Sequence, residues 1–236
     1  ARGASAKNIH AVIPYYSYAR SDKKDAPRIS IAGRLIADLL VTAGATHIVT
    51  MTLHSPQVHG FFSVPADHLS AKSVVVEYLE DRDLSNSVVV APDIGHAKRA
   101  ATLARSLKVP VAAGEKIRLA DDKVKIESIV GNVEGKHAIL VDDEIAAAGT
   151  LVEMIQHLRH YDVTQVTVYS THGLFTGNAV ERLNSIEEID EIIVTNTVSR
   201  PPERQPERLT VLSVASIFGE VIRRNLIGKS VGELFE

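Results

Sequence analysis

The amino-acid sequence predicts an α/β fold with mainly parallel sheets. Short apolar runs of the kind found in buried strands alternate along the chain with segments of helical periodicity. This alternation is typical of parallel strands that are joined by right-handed helical crossovers. The pattern restarts near residues 64–69, where we place a domain boundary.

The first half of the chain shows the alternation clearly. Leu35, Ile36, Leu39 and Leu40 fall on one face of a helix that starts near Ile31, because apolar residues recur there at helical spacing. The segment 54–69 has no clear period and is interpreted as irregular. The remaining predicted elements are strands at 11–16, 47–51, 87–91 and 109–112, and helices at 71–79 and 97–107.

The second half repeats this pattern. Gly149 and Thr150 open a helix that continues to about Tyr161, directly after an apolar strand at 137–141. Further strands are predicted at 163–170, 192–195 and 209–214, and further helices at 178–183 and 216–225. The segment 200–208 contains several Pro and Arg residues and is interpreted as an exposed connection.

Composition narrows the possible functions. The 236 residues carry a formal net charge of −3 and include no cysteine, which excludes disulfides, thiolate nucleophiles and cysteine zinc sites. The balanced charge gives no argument for nucleic acid or a membrane as a partner. A cytoplasmic enzyme fits this composition. The sequence begins with Ala1 in the middle of a pattern, so we expect that N-terminal material precedes it.

Polar side chains follow the predicted strands at their carboxyl ends, where ligands bind in open parallel sheets. His54, Asp93 and the pair Asp142–Asp143 occupy such positions. A single Asp after a strand is as typical of a helix cap as of a ligand site. The Asp pair is more informative, because adjacent carboxylates repel each other unless a metal, a cation or a sugar diol lies between them.

A helix start follows the Asp pair. Gly149–Thr150 places backbone N–H groups at a helix N-terminus, which favours a phosphate. Beside the carboxylates, this pattern indicates a sugar phosphate, with its hydroxyls on the acids and its phosphate on the amides.

Two basic segments add to this picture. One runs from Arg20 to Arg28, and the other contains Lys116 and Arg118. Composition alone favours a solvated loop for the first. Together with acidic strand ends, however, the two segments would suit polyphosphate transfer, which needs cations on the phosphate oxygens and carboxylates on Mg²⁺. The chain contains neither a G-x-x-x-x-G-K-[ST] phosphate loop nor a G-x-G-x-x-G dinucleotide turn.

Taken together, these motifs resemble the ribose-phosphate diphosphokinases, also called phosphoribosyl diphosphate synthetases. The similar segments are collinear and cover nearly the whole chain. They are Val12-Ile13-Pro14-Tyr15-Tyr16 with Arg20 and Asp22-Lys23-Lys24, Met51-Thr52-Leu53-His54, Ala91-Pro92-Asp93-Ile94-Gly95, Lys116-x-Arg118, and Val141-Asp142-Asp143 with Gly149-Thr150.

The resemblance implies a fold, a reaction and site residues. It implies two similar α/β domains, each like a type I phosphoribosyltransferase: 1–66 as the remainder of an N-terminal domain, on which the C-terminal helix can pack, and 67–236 as the C-terminal domain. The implied reaction transfers the diphosphoryl group of Mg-ATP to ribose 5-phosphate in a homo-oligomer, a dimer or a hexamer. The implied roles are ATP binding for Arg20, Asp22, Lys24 and Asp25, catalysis for Lys116, Arg118 and His54, metal binding for His54 and Asp93, and ribose 5-phosphate binding for Asp142, Asp143, Ala147, Ala148, Gly149 and Thr150.

Three departures from the family pattern keep other hypotheses open. Thr52 stands where the family usually has Asp, His96 where it has Gly, and Ala146-Ala147 where it has Asp-Thr. The simplified phosphate loop favours a non-catalytic homologue that regulates active subunits. A phosphoribosyltransferase would share the Asp pair, but it would not account for the Arg20 segment or for the length of the chain.

Overall fold

A computed structural model describes residues 1–120 and 123–232, with the side chains of 116–125 also outside the described part. The chain divides into two compact units. The first unit combines Ala1–Ala71 with the segment from Val214 onward, and the second unit is Lys72–Ser213. The C-terminal segment thus belongs with the first unit. The assignment of 1–66 and 67–236 to two domains stays a prediction.

The first unit is built on a three-stranded parallel sheet in the order β1–β2–β3. Its elements are β1 (His10–Ile13), α1 (Ala32–Thr42), β2 (His47–Met51), β3 (Ala66–Leu69) and, at the end of the chain, α6 (Ala215–Leu226). Asn225 of α6 donates a hydrogen bond of 3.1 Å to Asp67 of β3, whose carboxylate lies 2.7 Å from His47 of β2. This polar contact ties the last helix to the sheet.

The second unit contains a seven-stranded sheet in the order β10–β9–β8–β7–β4–β5–β6. The strands are β4 (Ser87–Ala91), β5 (Val111–Ala120), β6 (Lys123–Val130), β7 (His137–Ile145), β8 (Gln165–Gly173), β9 (Ile189–Thr195) and β10 (Leu209–Leu212). The helices are α2 (Lys72–Leu79), α3 (Ala97–Leu107), α4 (Gly149–Leu158) and α5 (Ala179–Asn184). All neighbouring strands pair in parallel except β5 and β6, which form an antiparallel pair.

Apolar residues bury both faces of this sheet. In β4, Val88 and Val90 join one core cluster while Val89 and Ala91 join another, because successive side chains of a strand point to opposite faces. Helices α4 and α5 contribute to the first cluster, and α2 and α3 to the second. A strand that is covered on both faces carries apolar residues at successive positions, which explains the run of apolar residues from Val88 to Ala91 in β4.

The predicted α/β fold with mainly parallel sheets is confirmed. Three strands, β3, β5 and β6, differ from the predicted elements. Segment 54–69 was expected to be irregular, but it contains β3 at its end, whose polar Asp67 and His68 conceal the strand pattern. The predicted strand at 109–112 overlaps only the first two residues of the much longer β5, and β6 was not predicted. Among the described residues, no helix has both the length and the apolar character needed to cross a membrane.

Candidate active site

Three carboxylates meet at the carboxyl edge of the large sheet. Asp93 lies two residues after the end of β4, while Asp142 and Asp143 lie near the end of β7. Strands β4 and β7 are parallel neighbours, so their carboxyl ends share one edge of the sheet. Asp143 is buried, with 2% of its side chain exposed, and Asp142 is 15% exposed.

His96 lies among these three acids. Asp93 caps the turn Ile94–His96 by accepting a hydrogen bond of 3.1 Å from the backbone N–H of His96, and its carboxylate also lies 2.8 Å from the Nδ1 of His96. The Nε2 of the same ring is 3.3 Å from Oδ1 of Asp143 and 3.9 Å from Oδ1 of Asp142. One imidazole therefore connects the β4 end to the β7 end.

The close contacts in this cluster change the pKa values of His96 and Asp142. Hydrogen bonds to Asp143 and Asp93 raise the pKa of His96 to about 10, in spite of its burial. Burial and the neighbouring charge of Asp143 raise the pKa of Asp142 to about 7. Arg99, in α3, places NH1 3.9 Å from Oδ1 of Asp143. At neutral pH the imidazole is thus an imidazolium that offsets part of the acidic charge.

The predicted phosphate loop lies directly after β7. Ala148 precedes α4 with a left-handed φ of 59°, and Gly149 and Thr150 form the first turn of that helix. The backbone N–H groups of Phe175 and Thr176 donate to the carbonyl oxygens of Ile145 and Ala146, which holds the loop against the end of β8. The loop backbone therefore has a defined shape without the Asp and Thr side chains that the resemblance leads one to expect.

An arginine from another helix also holds this loop. NH1 of Arg182, in α5, donates a hydrogen bond of 3.1 Å to the carbonyl oxygen of Ala147. The same NH1 lies 3.9 Å from the position that a Cβ atom would take at Gly149. A guanidinium is thus placed next to the start of α4.

The predicted ATP-binding residues lie in the first unit, between β1 and α1. Arg20, Lys24 and Asp25 are exposed, and Asp22 is half-buried. The carbonyl oxygens of Tyr18 and Ser21 lie 3.0 and 3.1 Å from the Cβ position of Gly33. Any side chain at Gly33 would push this loop away from α1, so the glycine sets the path of the chain before and after Arg20.

The other predicted catalytic residues fall in two places. His54 is half-buried in the turn that follows β2, in the first unit. Lys116 and Arg118 belong to β5 by their backbone, and their side chains lie outside the described residues.

Comparison with known proteins identifies the family. The N-terminal domain of ribose phosphate pyrophosphokinase matches residues 1–44, and the phosphoribosyl synthetase-associated domain matches residues 116–236. A relative from Streptomyces coelicolor is 51% identical over the whole chain and 74% of its own length. The ribose-phosphate pyrophosphokinase of Deinococcus radiodurans is 49% identical over the whole chain and 75% of its own length.

The chain belongs to the ribose-phosphate pyrophosphokinase family. The resemblance that the motifs indicated is confirmed by these matches.

A solved structure of this family has the same fold. The crystal structure of phosphoribosylpyrophosphate synthetase from Mycobacterium smegmatis matches with a TM-score of 0.88 and 38% identity, covering 96% of this chain and 74% of that one. This chain thus shares its fold with a solved member of the family.

Sequence reasoning did not assign a site role to His96 or Arg182. His96 was noted only as a departure from the family pattern, although its spacing to Asp93 could have indicated a contact. An Asp that caps a turn lies next to the third residue after it, and the side chains of the two residues can then meet. No sequence signal links Arg182 to the loop, because the contact joins residues that are 35 positions apart.

The donors at the sheet edge fit a hard divalent cation such as Mg²⁺. The carboxylate of Asp93 supplies an oxygen ligand of the kind that Mg²⁺ prefers, and Asp142 and Asp143 add negative charge nearby. When it is bound, Mg²⁺ would neutralise charge on the phosphate oxygens of ATP. The roles of His54 and Asp93 as metal ligands stay predictions.

Proposed function

We propose that this protein is a ribose-phosphate pyrophosphokinase that converts ATP and ribose 5-phosphate into phosphoribosyl diphosphate and AMP. The observation that carries the proposal is the 49% identity, over the whole chain, to a relative named for this activity. The geometry of the second unit supports it, since an acidic pair and a helix N-terminus lie side by side at one edge of the sheet.

The ribose end of the substrate fits this edge. Asp142 and Asp143 can accept hydrogen bonds from the sugar hydroxyls, because carboxylates bind vicinal hydroxyl groups well. The amides from Ala147 to Thr150 lie at the start of α4, where the helix dipole favours the 5-phosphate. Arg182 adds a positive charge beside this start.

The transfer step joins the C1 hydroxyl oxygen of ribose 5-phosphate to the β-phosphorus of ATP. The bond between that phosphorus and the oxygen bridging to the α-phosphate breaks, AMP leaves, and the hydroxyl proton goes to solvent or a nearby base. Such a reaction depends on positioning and on cations around the phosphoryl oxygens. We assign this cationic role to Lys116 and Arg118, ATP binding to Arg20, Asp22, Lys24 and Asp25, and metal binding to His54 and Asp93.

Further properties belong to the same proposal. The cofactor is Mg²⁺, the substrates are ATP and ribose 5-phosphate, and the protein is a cytoplasmic homo-oligomer, either a dimer or a hexamer. The near-balanced charge and the absence of cysteine in the sequence are consistent with these assignments.

The simplified loop favours a second candidate, a non-catalytic homologue that binds active subunits. Ala146 and Ala147 offer no side-chain hydrogen bonds to a phosphate. If the loop amides and Arg182 do not compensate for this loss, ribose 5-phosphate will not bind. Binding of ribose 5-phosphate by calorimetry therefore separates the two candidates.

The test is an assay with ribose 5-phosphate, Mg²⁺ and ATP, in which the nucleotide products are separated by chromatography. We expect AMP, formed only when ribose 5-phosphate is present. Formation of ADP instead of AMP, or no turnover, would contradict the proposed function. Asp142→Asn with Asp143→Asn serves as the negative control, because it removes the acids that we assign to the ribose.

A further inference from the structure

His96 lies where three neighbouring carboxylates would otherwise repel one another. Asp142 and Asp143 are consecutive, and Asp93 comes from the neighbouring strand end, so three carboxylates share a small space. Like charges so close together repel, and without a counter-charge their side chains would turn apart. A site for a sugar needs the opposite, namely acceptor oxygens that are held in place before the ligand arrives.

The imidazole of His96 is placed to hold these carboxylate oxygens in position. One ring nitrogen lies 2.8 Å from Asp93 and the other 3.3 Å from Asp143, so the ring spans the two strand ends. His96 itself is held by two contacts with Asp93, one through its ring nitrogen and one through its backbone N–H, which donates a hydrogen bond to the carboxylate. The side chain is 19% exposed, which leaves its hydrogen bonds partly shielded from water.

We infer that His96 is a positioning residue for ribose 5-phosphate, which holds the carboxylate of Asp143 in the orientation that accepts the sugar hydroxyls. Nothing in the family pattern assigns this role, since that pattern leads one to expect a glycine at this position. The inference rests on the proposed function in one respect only, that the ligand of Asp143 is ribose 5-phosphate.

The chain offers a matched control for this residue. His137 is 20% exposed, also lies beside a carboxylate of the large sheet, and occupies the first position of β7. The acidic pair lies near the other end of the same strand. His137→Ala therefore removes an imidazole of similar exposure from the edge that does not carry the acidic pair.

The test measures the affinity for ribose 5-phosphate by calorimetry, without ATP or metal. We expect His96→Ala to bind about tenfold more weakly, because binding must then order the freed carboxylate of Asp143, and ordering one side chain costs about 0.5–1.5 kcal/mol. His96→Gln should lie between wild type and His96→Ala, because its amide can donate to one carboxylate and not to both. His137→Ala should bind within about twofold of wild type.

A double-mutant cycle shows whether His96 acts through Asp143. If it does, His96→Ala should weaken binding far less in an Asp143→Asn background than in wild type, since the restrained carboxylate is already absent. Thermal unfolding of each variant confirms that it is folded. In steady-state kinetics, His96→Ala should raise KM for ribose 5-phosphate and leave KM for ATP nearly unchanged.

Each contrary outcome has a definite meaning. Unchanged binding in His96→Ala, or equal effects in both backgrounds, would overturn the positioning role. Tighter binding would overturn it as well, and would show that the imidazole occupies space that the ligand needs. A wild type that binds ribose 5-phosphate but makes no AMP contradicts the proposed function alone, whereas a wild type that binds none overturns both.

Discussion

Two clusters of histidine and carboxylate lie on opposite edges of the seven-stranded sheet. At the carboxyl edge, His96 faces Asp93, Asp142 and Asp143. At the amino edge, the Nε2 of His137 lies 2.9 Å from the hydroxyl of Thr167 and 3.4 Å from Asp190.

The difference between the clusters is the number of carboxylates relative to the groups that face them. Thr167 donates a hydrogen bond of 3.0 Å to Asp190, so the acid at the amino edge has a hydroxyl and an imidazole as partners. Such a balanced set needs no ligand. At the carboxyl edge, three carboxylates outnumber the imidazole of His96 and the guanidinium of Arg99. The pKa of Asp142 is raised to about 7 there by its burial and by Asp143. An excess of acids that is held together by the fold indicates a ligand site, while a balanced cluster indicates a structural role.

The largest difference in activity between the two edges is expected from substituting asparagine for one aspartate at each edge. Asp143→Asn should lower kcat/KM for ribose 5-phosphate by about 100-fold, because hydrogen bonds to an ionised carboxylate contribute about 1.5–3 kcal/mol each. Asp190→Asn should leave kcat/KM within about twofold and reduce only the thermal stability. Equal losses of activity in both variants would mean that the carboxyl edge is not the ribose site.

Alkaline pH should destabilise the carboxyl edge in the metal-free protein. The pKa of His96 is about 10 in the folded state and near 6.5 when unfolded, so its stabilisation is complete below pH 6.5 and is lost as the pH rises to 10. Each unit of that shift corresponds to about 1.4 kcal/mol, so we expect a loss on the order of 3 kcal/mol between pH 7 and 10.

The comparison for this prediction is His96→Ala, which should lose less stability than wild type over the same pH range. His137→Ala should retain the wild-type dependence on pH. Denaturant unfolding at pH 7, 8, 9 and 10 measures all three proteins. Parallel curves for wild type and His96→Ala would contradict the raised pKa.

Restoring the usual loop residues should strengthen the ligand site without affecting the other edge. Ala146→Asp with Ala147→Thr should lower KM for ribose 5-phosphate by about tenfold or more, since each restored hydrogen bond contributes about 1 kcal/mol. Ala147 is exposed and Ala146 half-buried, so the larger side chains have room. KM for ATP should stay nearly constant, and an unchanged KM for ribose 5-phosphate would place the phosphate elsewhere.

The smallest effect is expected at the amino edge. His137→Ala should reduce the free energy of unfolding by about 1 kcal/mol, the usual contribution of one hydrogen bond, while both KM values stay at their wild-type levels. Urea unfolding and steady-state kinetics provide the two measurements. A raised KM for ribose 5-phosphate in this variant would contradict a purely structural role for the amino-edge cluster.

The fold could be predicted well where one physical signal dominates. Strand β4 and helix α3 have the predicted bounds, because a two-sided apolar strand and an amphipathic helix are patterns that stand out in the sequence. Strand β3 was missed because it is short and polar at its centre. Most of the β5–β6 pair was missed because its charged residues were interpreted as a basic segment, although Lys123–Glu127 alternates polar and apolar residues. Its strands are stabilised by pairing with each other and with β4.

The sequence by itself determined the α/β class, the family and the acidic pair beside a helix start, since each of these is a local pattern of neighbouring residues. The tertiary structure alone decided that His96 joins Asp93 to Asp143 and that Arg182 holds the loop carbonyl of Ala147. Asp93 and His96 are only three residues apart, but the His96–Asp143 and Arg182–Ala147 contacts join residues that are far apart in the chain. They depend on the order in which parallel strands lie side by side, which no local pattern specifies.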